Sequence, residues 1–143
     1  VITAREIPKG AIVTPNSKEF EMVFEMNLPV DMGERSEVIR KIAKEYGIVV
    51  LTKDETSLVS DGERVIAIEG GCDGLVKGGV GDVTAGLILG FLAKDNSMLA
   101  SSLASHLVKL AGKKLMEKRG LMFSAQDLTE TIPLVYGEML RRL

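Results

Sequence analysis

Apolar and polar residues follow a period that changes several times along the chain, and each change predicts a separate element. A short apolar run at residues 11–14 is stopped by Pro15, which is typical of a strand that leaves a sheet for a loop. Residues 18–25 then show a helical pattern. Between residues 33 and 46, apolar side chains again recur at helical spacing, and Gly47 provides a C-terminal stop for that helix.

The next strand is predicted by a continuous, β-branched run at residues 48–51. Such a run is typical of a strand buried on both faces of a parallel sheet. The order strand, helix, strand predicts a right-handed βαβ unit, whose functional groups should lie at the carboxyl ends of its strands. Asp61 and Gly62 separate two further β-rich runs and predict a hairpin. The pattern indicates an α/β protein.

Helical periodicity dominates the C-terminal part of the chain. Residues 83–93 are predicted to form an apolar helix, and residues 96–118 a longer one. We expect one face of the longer helix to carry the leucines Leu99, Leu103, Leu107 and Leu110. His106 borders that face, and we expect it to be a packed, hydrogen-bonded residue rather than a catalyst.

The last helix is predicted to begin at Ser124, whose hydroxyl can cap it. Asp127, three positions later, completes a pattern that resembles a capping box. Pro133 should break or kink this helix. Because no internal repeat, low-complexity tract or long linker divides the 143 residues, we expect a single compact unit.

Composition and charge exclude several classes of function. A formal charge of −2 and a pI near 5.5 give no general attraction to nucleic acid or to an anionic membrane. The basic cluster at residues 113–119 lies at a predicted helix end, where cations interact favourably with the helix dipole. The one cysteine, Cys72, excludes an internal disulfide and a cysteine-based zinc cluster. With no leader pattern and no apolar run long enough to span a bilayer, we expect a cytoplasmic protein without nucleic-acid or membrane partners.

The densest chemical signal is KGGVGDVTAG at residues 77–86, which places three glycines directly before Asp82 and an apolar helix. Backbone N–H groups at a helix N-terminus have no internal partner, and glycine lets an anion approach them closely. One interpretation is a phosphate-binding turn in which Asp82 takes a proton from a substrate hydroxyl. The other is a tight turn in which Asp82 caps the helix or, as a first-turn acid, stabilises its dipole. The glycines and the aspartate alone leave both interpretations open.

A second signal lies where the first predicted strand ends. In TPNSKE, residues 14–19, Asn16 and Glu19 stand three positions apart, so they share one face if a helix starts there. Their hard oxygen atoms suit magnesium, usually through its water ligands. Taken alone, the pattern is also explained by a helix cap followed by a solvated first-turn acid.

Together, these segments resemble the C-terminal half of the ribokinase-like superfamily, in which an N-x-x-E motif precedes a G-x-G-D anion-hole motif. The chain is most similar to the nucleotide-dependent NAD(P)H-hydrate dehydratases: TPNSKEF resembles their TPN/TPH-x-x-EF segment, GGVGDVTAG their GG-x-GD-x-x-AG, and SAQDLTETIP their closing A-x-DL-x-x-x-IP. The resemblance covers nearly all 143 residues. It implies a three-layer α/β/α ribokinase-like fold, with residues 1–143 as the C-terminal half of a single domain.

The resemblance implies a metabolite-repair lyase. Such enzymes use ATP or ADP, with Mg²⁺, to phosphorylate the hydroxyl of hydrated NADH or NADPH, and loss of phosphate then restores the cofactor. Asp82 is implied as the catalytic base and Gly79 and Gly81 as the catalytic anion hole, while Asn16 and Glu19, with Asp82, are implied to contact the substrate. Asn16 and Glu19 are also implied to reach Mg²⁺ through water. The nucleotide-binding residues that the resemblance implies are Thr52, Lys53, Thr56, Lys77, Gly78, Gly79, Val80 and Gly81.

Two features depart from the family pattern. The segment LTKDET takes the place of the nucleotide-contacting L-K-G-x-x-[T/D], with its lysine one position late, at Lys53, and no glycine after it. The chain is also about half the usual length, begins at Val1 without a methionine, and would leave a parallel strand edge and an apolar sheet face uncovered. We therefore interpret it as a fragment whose partner is the N-terminal half of the same domain. A homo-oligomer is left open.

Two other functions stay open. A ribokinase-like kinase for a sugar or a vitamin-precursor alcohol would share the fold, although such kinases commonly carry a bulkier aromatic residue where this chain has Ala85 and Gly86. A non-catalytic nucleotide-binding module is the third candidate, because the chain is short. Turnover of hydrated NADH with ATP or ADP would separate the dehydratase from the kinase, and nucleotide binding without turnover would indicate the third.

Overall fold

The computed structural model describes residues 3–143 and divides the chain into two compact units. One unit ends at Ile68, and the other comprises Glu69–Leu143. Each contains its own cluster of buried hydrophobic side chains. The chain thus has two centres of packing where the sequence predicted one, and its place as half of a single larger domain stays a prediction.

A mixed four-stranded sheet, with the strand order β1-β2-β3-β4, organises the N-terminal unit. The strands are β1 (Ile12–Val13), β2 (Val49–Leu51), β3 (Ser57–Ser60) and β4 (Val65–Ile68). β1 and β2 run parallel, with Ile12 opposite Val49, as the sequence predicted. β3 is antiparallel to β2, and β4 is antiparallel to β3.

Two helices connect the parallel strands, and a short 3₁₀ turn at Ala4–Glu6 precedes β1. They are α1 (Ser17–Phe24) and α2 (Met32–Tyr46). α2 begins where the Asp31 carboxylate accepts a hydrogen bond from the Glu34 amide, and it ends at Gly47 in a left-handed conformation, as predicted. The core of this unit joins α1, α2 and the sheet through Phe20, Phe24, Ile39, Ile42, Ala43, Ile48, Val50 and Leu58.

The predicted hairpin at Asp61 and Gly62 joins β3 to β4. The Asp61 carboxylate accepts hydrogen bonds from the amides of Glu63 (3.0 Å) and Arg64 (2.8 Å), which holds the turn as a short polar side chain commonly does. Those amides hold the pKa of the Asp61 carboxyl below its usual value, with Arg64 the larger contributor. Gly62 has a φ of +92°, a conformation that favours glycine.

Three helices form the C-terminal unit, after a 3₁₀ turn at Asp73–Leu75. They are α3 (Val80–Leu92), α4 (Ser97–Arg119) and α5 (Ala125–Leu140). α4 packs against both α3 and α5. The core of the C-terminal unit is made by Val80, Leu107, Val108, Ala111, Leu115, Phe123, Leu128, Ile132 and Val135. Capping side chains fix the starts of α4 and α5 near their predicted positions. The Asn96 side chain accepts a hydrogen bond from the Leu99 amide, and the Ser124 side chain accepts one from the Asp127 amide.

The buried face of α4 differs from the predicted leucine face. Leu107 is buried, but Leu99 is 49% exposed. Small residues occupy much of the buried face instead: Ala100, Ser101, Ala104, Ser105, Ala111 and Gly112. Small side chains allow close approach, and a Cβ on Gly112 would lie 2.6 Å from Leu75 Cδ2. The prediction of a packed His106 was wrong, because its side chain is exposed on the other side of the helix.

Pro133 does not break the last helix. α5 continues from Ala125 to Leu140 with Pro133 inside it. The proline removes one backbone donor, but the neighbouring Ile132 and Val135 are buried in the core of the unit. Tertiary packing of this apolar face therefore outweighs the local preference of the proline.

Across residues 3–143, the helices are all too short or too polar to cross a lipid bilayer.

We expect Gly62→Ala to destabilise the protein more than its positive φ alone would. A Cβ at this position would lie 2.7 Å from both Lys44 Cα and Lys44 N, which are backbone atoms of α2 and cannot rotate away. Left-handed backbone costs about 1–2 kcal/mol for a residue with a side chain, and overpacking adds about 1–3 kcal/mol. Urea denaturation would measure the loss in the free energy of unfolding.

Gly10→Ala is the matched control, because Gly10 has a φ of +81° but no atom within 4 Å of its ideal Cβ. Gly10→Ala should lower the free energy of unfolding by about 1–2 kcal/mol, which is the cost of the left-handed backbone without any overpacking. Equal losses for the two variants would contradict a close contact between the hairpin and α2.

Candidate functional site

Asn16 and Glu19 close the N-terminus of α1 at the carboxyl end of β1. The Asn16 side chain accepts a hydrogen bond from the Glu19 amide (2.9 Å), and Glu19 Oε2 accepts one from the Asn16 amide (2.8 Å). This reciprocal arrangement is a capping box, and it accounts for the three-residue spacing of the N-x-x-E motif. The motif therefore has a structural role whatever else it does.

Lys53 joins the loop after β2 to the loop after β1. Its amide donates to the Pro15 carbonyl (3.1 Å), and its ammonium lies 3.3 Å from Glu19 Oε2. Because β1 and β2 are parallel neighbours, their carboxyl ends meet at one edge of the sheet and bring Asn16, Glu19 and Lys53 together. The Asn16 amide, and to a lesser extent Lys53, hold the pKa of the Glu19 carboxyl below its usual value.

The other two predicted residues of this loop have different surroundings. Thr52 is fully buried, and its hydroxyl accepts a hydrogen bond from the Leu58 amide (3.0 Å), so the side chain closes the β2–β3 connection. Thr56 is half-buried in the same connection. Of the two, only Thr56 retains some exposure to solvent.

Asp54 is a polar residue of this edge that the sequence interpretation missed. Its carboxylate accepts a hydrogen bond from the Ser17 hydroxyl (3.1 Å) and lies 3.3 Å from the Arg35 guanidinium. Arg35 Nε also donates to the Pro29 carbonyl (2.7 Å). These contacts connect the start of α1, the start of α2 and the loop after β2. A charged residue beside the shifted Lys53 was the available signal in LTKDET.

In the C-terminal unit, the glycine-rich turn leads directly into α3. Gly79 is the N-cap residue, with φ +88° and ψ −18°, and carries no side chain that could cap the helix. The first helical hydrogen bond runs from the Val83 amide to the Gly79 carbonyl (3.0 Å). The amides of Val80, Gly81 and Asp82 precede it and point to the N-terminal end, where the helix dipole is positive. α3 begins three residues before its predicted start, because Gly79 reverses the chain.

Asp82 occupies the third position of α3 and is exposed. The acids at the third position of α1 and α5 fold back and accept hydrogen bonds from the amides of their N-cap residues, Asn16 and Ser124. Within residues 3–143, the Asp82 carboxylate takes part in no such bond and in no ion pair. The interpretation of Asp82 as a helix cap therefore lacks the contact that a cap requires.

Lys77 and Gly78 form the other end of the turn. The Lys77 ammonium donates to the backbone carbonyls of Leu121 and Phe123, at 2.6 Å for the latter. Gly78 is exposed, and an added Cβ would meet no atom within 4 Å. A Cβ on Gly79, in contrast, would lie 2.9 Å from the Cβ of Ala125. Space beside the turn is thus open at Gly78 and closed at Gly79.

The donor set for a magnesium ion is sparse among the described residues. No group of three or more His, Cys, Asp or Glu side chains in residues 3–143 could hold a metal ion. Glu19 supplies one carboxylate, and both of its contacts fall on Oε2. Magnesium in nucleotide sites is commonly held by one or two carboxylates together with phosphate oxygens and water. The residues present fit an ion that is brought chiefly by a nucleotide.

This chain shares its fold with solved ribokinase-like α/β proteins. The ADP/ATP-dependent NAD(P)H-hydrate dehydratase of Bacillus subtilis, co-crystallised with ATP and Mg²⁺, matches with a TM-score of 0.84 over 96% of this chain and 52% of that chain, at 24% identity. A ribokinase-like superfamily protein of Enterococcus faecalis gives 0.73 over 92% and 45%, at 21% identity. The hydroxyethylthiazole kinase of Pyrococcus horikoshii gives 0.70 over 93% and 50%, also at 21%. At these identities the likeness shows the fold, and it confirms the predicted fold class.

The chain belongs to the NAD(P)H-hydrate dehydratase family, whose sequence profile matches residues 4–134. The ADP-dependent (S)-NAD(P)H-hydrate dehydratase of Cenarchaeum symbiosum is 37% identical over 128 residues, covering 89% of this chain and 45% of that protein. The bifunctional NAD(P)H-hydrate repair enzyme Nnr of Pyrobaculum aerophilum is 36% identical over 128 residues, covering 88% and 26%. The chain therefore spans about half the length, or less, of these relatives.

Glu19 and Lys53 should show a small, pH-dependent coupling in a double-mutant cycle with Glu19→Gln and Lys53→Met. The Glu19 side chain is 46% exposed, so solvent screens the pair, and exposed pairs typically contribute about 0.2–1 kcal/mol. Glutamine can still complete the capping box, so the cycle isolates the charge. Urea denaturation at pH 7 and pH 3 would measure the coupling.

The sign of the pH dependence follows from the lowered pKa of Glu19. The stabilisation is present above the usual carboxyl pKa of about 4.3, and it is lost as the pH falls through the folded-state value. We expect the coupling to be smaller at pH 3 than at pH 7. Glu45→Gln, an exposed change on α2, is the control and should alter stability by less than about 0.5 kcal/mol at either pH. A coupling of equal size at both pH values would exclude an ionic interaction.

Proposed function

We propose that this chain provides the phosphate-binding turn and the catalytic base of an ATP- or ADP-dependent (S)-NAD(P)H-hydrate dehydratase. One observation carries the proposal: α3 begins at a glycine without a capping side chain, and the carboxylate of Asp82 beside it is exposed and has no protein partner among the described residues. Membership of the dehydratase family supports the same conclusion.

The proposed chemistry follows from two groups at the start of α3. The substrate hydroxyl on the hydrated nicotinamide ring attacks the terminal phosphorus of the nucleotide, and the Asp82 carboxylate accepts its proton. The bond from phosphorus to the leaving nucleotide breaks, and the amides at Val80 and Gly81 stabilise the negative charge on the transferred group. Elimination of phosphate, with loss of a ring proton, then restores NADH or NADPH.

Asn16 and Glu19 are proposed to contact the substrate, and Glu19 to approach Mg²⁺ through water. When bound, the ion would neutralise charge on the phosphates. Lys53 and Thr56 are proposed to contact the nucleotide. For Thr52, whose hydroxyl is buried on the Leu58 amide, a contribution through the shape of its loop is better supported than direct contact.

The choice between ATP and ADP is not made by this turn. A cradle of backbone amides binds a terminal phosphate without reading how many phosphates follow it. The relative from Cenarchaeum symbiosum is described as ADP-dependent, and the Bacillus subtilis enzyme as ADP/ATP-dependent. We propose that either nucleotide is accepted.

A small-molecule kinase is the alternative within the same fold. The fold is shared with the hydroxyethylthiazole kinase of Pyrococcus horikoshii. The positions that follow Asp82 by three and four residues, Ala85 and Gly86, are small and exposed in this chain. Assays of the full gene product with hydrated NADH, hydroxyethylthiazole and ribose would separate the two, and nucleotide binding without any turnover would indicate a non-catalytic module.

Asp82→Asn in the full gene product should abolish most turnover while leaving the fold and nucleotide affinity intact. Asparagine is nearly isosteric and the backbone amides are unchanged, but it cannot accept the proton. Loss of a general base typically lowers kcat by about 10²- to 10⁴-fold. Because the proton moves only on the way to the transition state, the loss should appear in kcat rather than in nucleotide binding. Steady-state kinetics at saturating nucleotide, with hydrated NADH, would measure it.

Asp73→Asn is a suitable control, because Asp73 is an exposed acid in the 3₁₀ turn upstream of the glycines. It should keep near-normal kcat. A near-normal kcat for Asp82→Asn would remove Asp82 from the mechanism. If the fall in kcat of Asp82→Asn were accompanied by a loss of thermal stability, Asp82 would instead have a structural role.

Gly78→Ala should weaken nucleotide binding without loss of stability. The Cβ would meet no protein atom and would project beside the turn, where a phosphate would have to approach the backbone. Stability should stay within about 0.5 kcal/mol, as is usual for surface changes. Isothermal titration with ATP and ADP, and a thermal melt, would measure the two effects separately.

Gly90→Ala, on an open part of α3, is the matched control for Gly78→Ala. Its Cβ also meets no atom within 4 Å, so the change should stabilise the helix by up to about 1 kcal/mol and leave nucleotide affinity unchanged. Unchanged affinity in Gly78→Ala would show that no phosphate lies against this part of the backbone.

A further inference from the structure

Lys77 directly precedes the glycine-rich turn, and protein groups surround its ammonium. It donates to two backbone carbonyls of the α4–α5 connection, those of Leu121 and Phe123. It also lies 4.1 Å from the centroid of the Phe123 ring, within the range of a cation–π interaction. The half-buried ammonium has three hydrogen-bond donors, and two of them are directed to these carbonyls.

Other contacts bind the same stretch of chain to the same connection. Phe123 is buried, and a Cβ on Gly74 would lie 2.5 Å from Cε1 and Cζ of its ring, so the chain before the turn packs closely on the ring. Beyond Lys77, the Cα of Gly79 faces Ala125 so closely that an added Cβ would lie 2.9 Å away. Residues 121–125, which we name the bracing segment, therefore contact the chain both before and within the turn.

The turn needs such support because glycine is conformationally free. Gly78, Gly79 and Gly81 give the backbone access to an anion, but they also let the ligand-free turn sample many conformations. A site whose binding-competent conformation is only partly populated binds its ligand more weakly by that fraction. Contacts that fix the turn on the core of the unit raise the populated fraction without touching the ligand.

We infer that Lys77 is a positioning residue, which holds the glycine-rich turn in its anion-binding conformation through the bracing segment and does not itself contact the phosphate. The inference deepens the proposed function and rests on it, because it concerns the same turn. Two of its three donors are already directed to carbonyls, so binding a phosphate with more than one donor would require the ammonium to leave a carbonyl. Its charge still adds to the positive potential at the start of α3 from where it stands.

The test compares Lys77→Met, Lys77→Arg and the control Lys113→Met in the full gene product. Lys113 is exposed on α4, so its replacement removes the same charge from the same unit without touching the turn. Arginine can donate to both carbonyls and stack on the ring, so it should restore much of the function. The readouts are amide hydrogen exchange of the nucleotide-free protein and the Kd values for ADP and ATP in the presence of Mg²⁺.

For Lys77→Met, we expect faster exchange at residues 78–82 and 121–124, and a Kd raised by about tenfold if the competent fraction falls to about a tenth. The increase should be similar for both nucleotides, Lys77→Arg should recover most of it, and Lys113→Met should match the wild type. If Lys77→Met does not fold, Lys77→Gln, which keeps an amide donor, allows the same comparison.

Two results would overturn the inference. A raised Kd with unchanged exchange would make Lys77 a direct phosphate ligand. Faster exchange with an unchanged Kd would make it a structural residue with no effect on the site. If the wild-type protein bound neither nucleotide, the proposed function would fail, whereas the exchange measurement would still decide whether Lys77 holds the turn.

Discussion

Every α-helix begins with backbone N–H groups that the helix itself cannot satisfy, and the structure of this protein depends on how each start is closed. Side chains close four of the five α-helices in residues 3–143: Asn16, Asp31, Asn96 and Ser124 each accept a hydrogen bond from an amide of the first turn. α3 begins at Gly79 and has no capping side chain. Among the α-helices of residues 3–143, the start of α3 is therefore left without a side-chain acceptor.

Parallel pairing of β1 and β2 provides the second constraint. Because both strands point the same way, the loops that follow them emerge at the same edge, and the bond from the Lys53 amide to the Pro15 carbonyl joins them. Asn16, Glu19 and Lys53 meet there, although they are far apart in sequence. The contacts of Asp54 with Ser17 and Arg35 hold the same edge from a second direction. Position in the sheet, rather than any single motif, assembles this group.

Local signals in the sequence were sufficient for the elements that are closed by their own residues. The hairpin at Asp61, the end of α2 at Gly47 and the capping box at Ser124 depend on contacts within a few positions, and all were predicted. Interpretations that depended on packing were less accurate. Pro133 lies within α5 because the helix packs on its neighbours, and Leu99 is exposed because small residues take the buried face of α4.

The candidate site shows the same division. The sequence singled out Asn16, Glu19 and the glycine-rich turn as candidates, because each is a motif with its own spacing. It did not locate the ion pair between Lys53 and Glu19 or the bonds from Lys77 to the Leu121 and Phe123 carbonyls, since the partners are separated by 34 residues or more along the chain. Such contacts are set by how elements pack, which spacing does not encode.

Acids stand third in four α-helices of residues 3–143; Glu34 of α2 forms no capping box, and the other three show why a motif requires its structural context. Glu19, Asp82 and Asp127 each stand third in a helix, where a carboxylate can fold back on the N-cap amide. The first and last do so, beside Asn16 and Ser124, whose own side chains complete a reciprocal pair. At Asp82 the N-cap residue is a glycine in a left-handed conformation, which can offer no such pair. The glycine at the N-cap therefore has two structural consequences: the first amides of α3 have no side-chain acceptor, and the Asp82 carboxylate has no reciprocal partner.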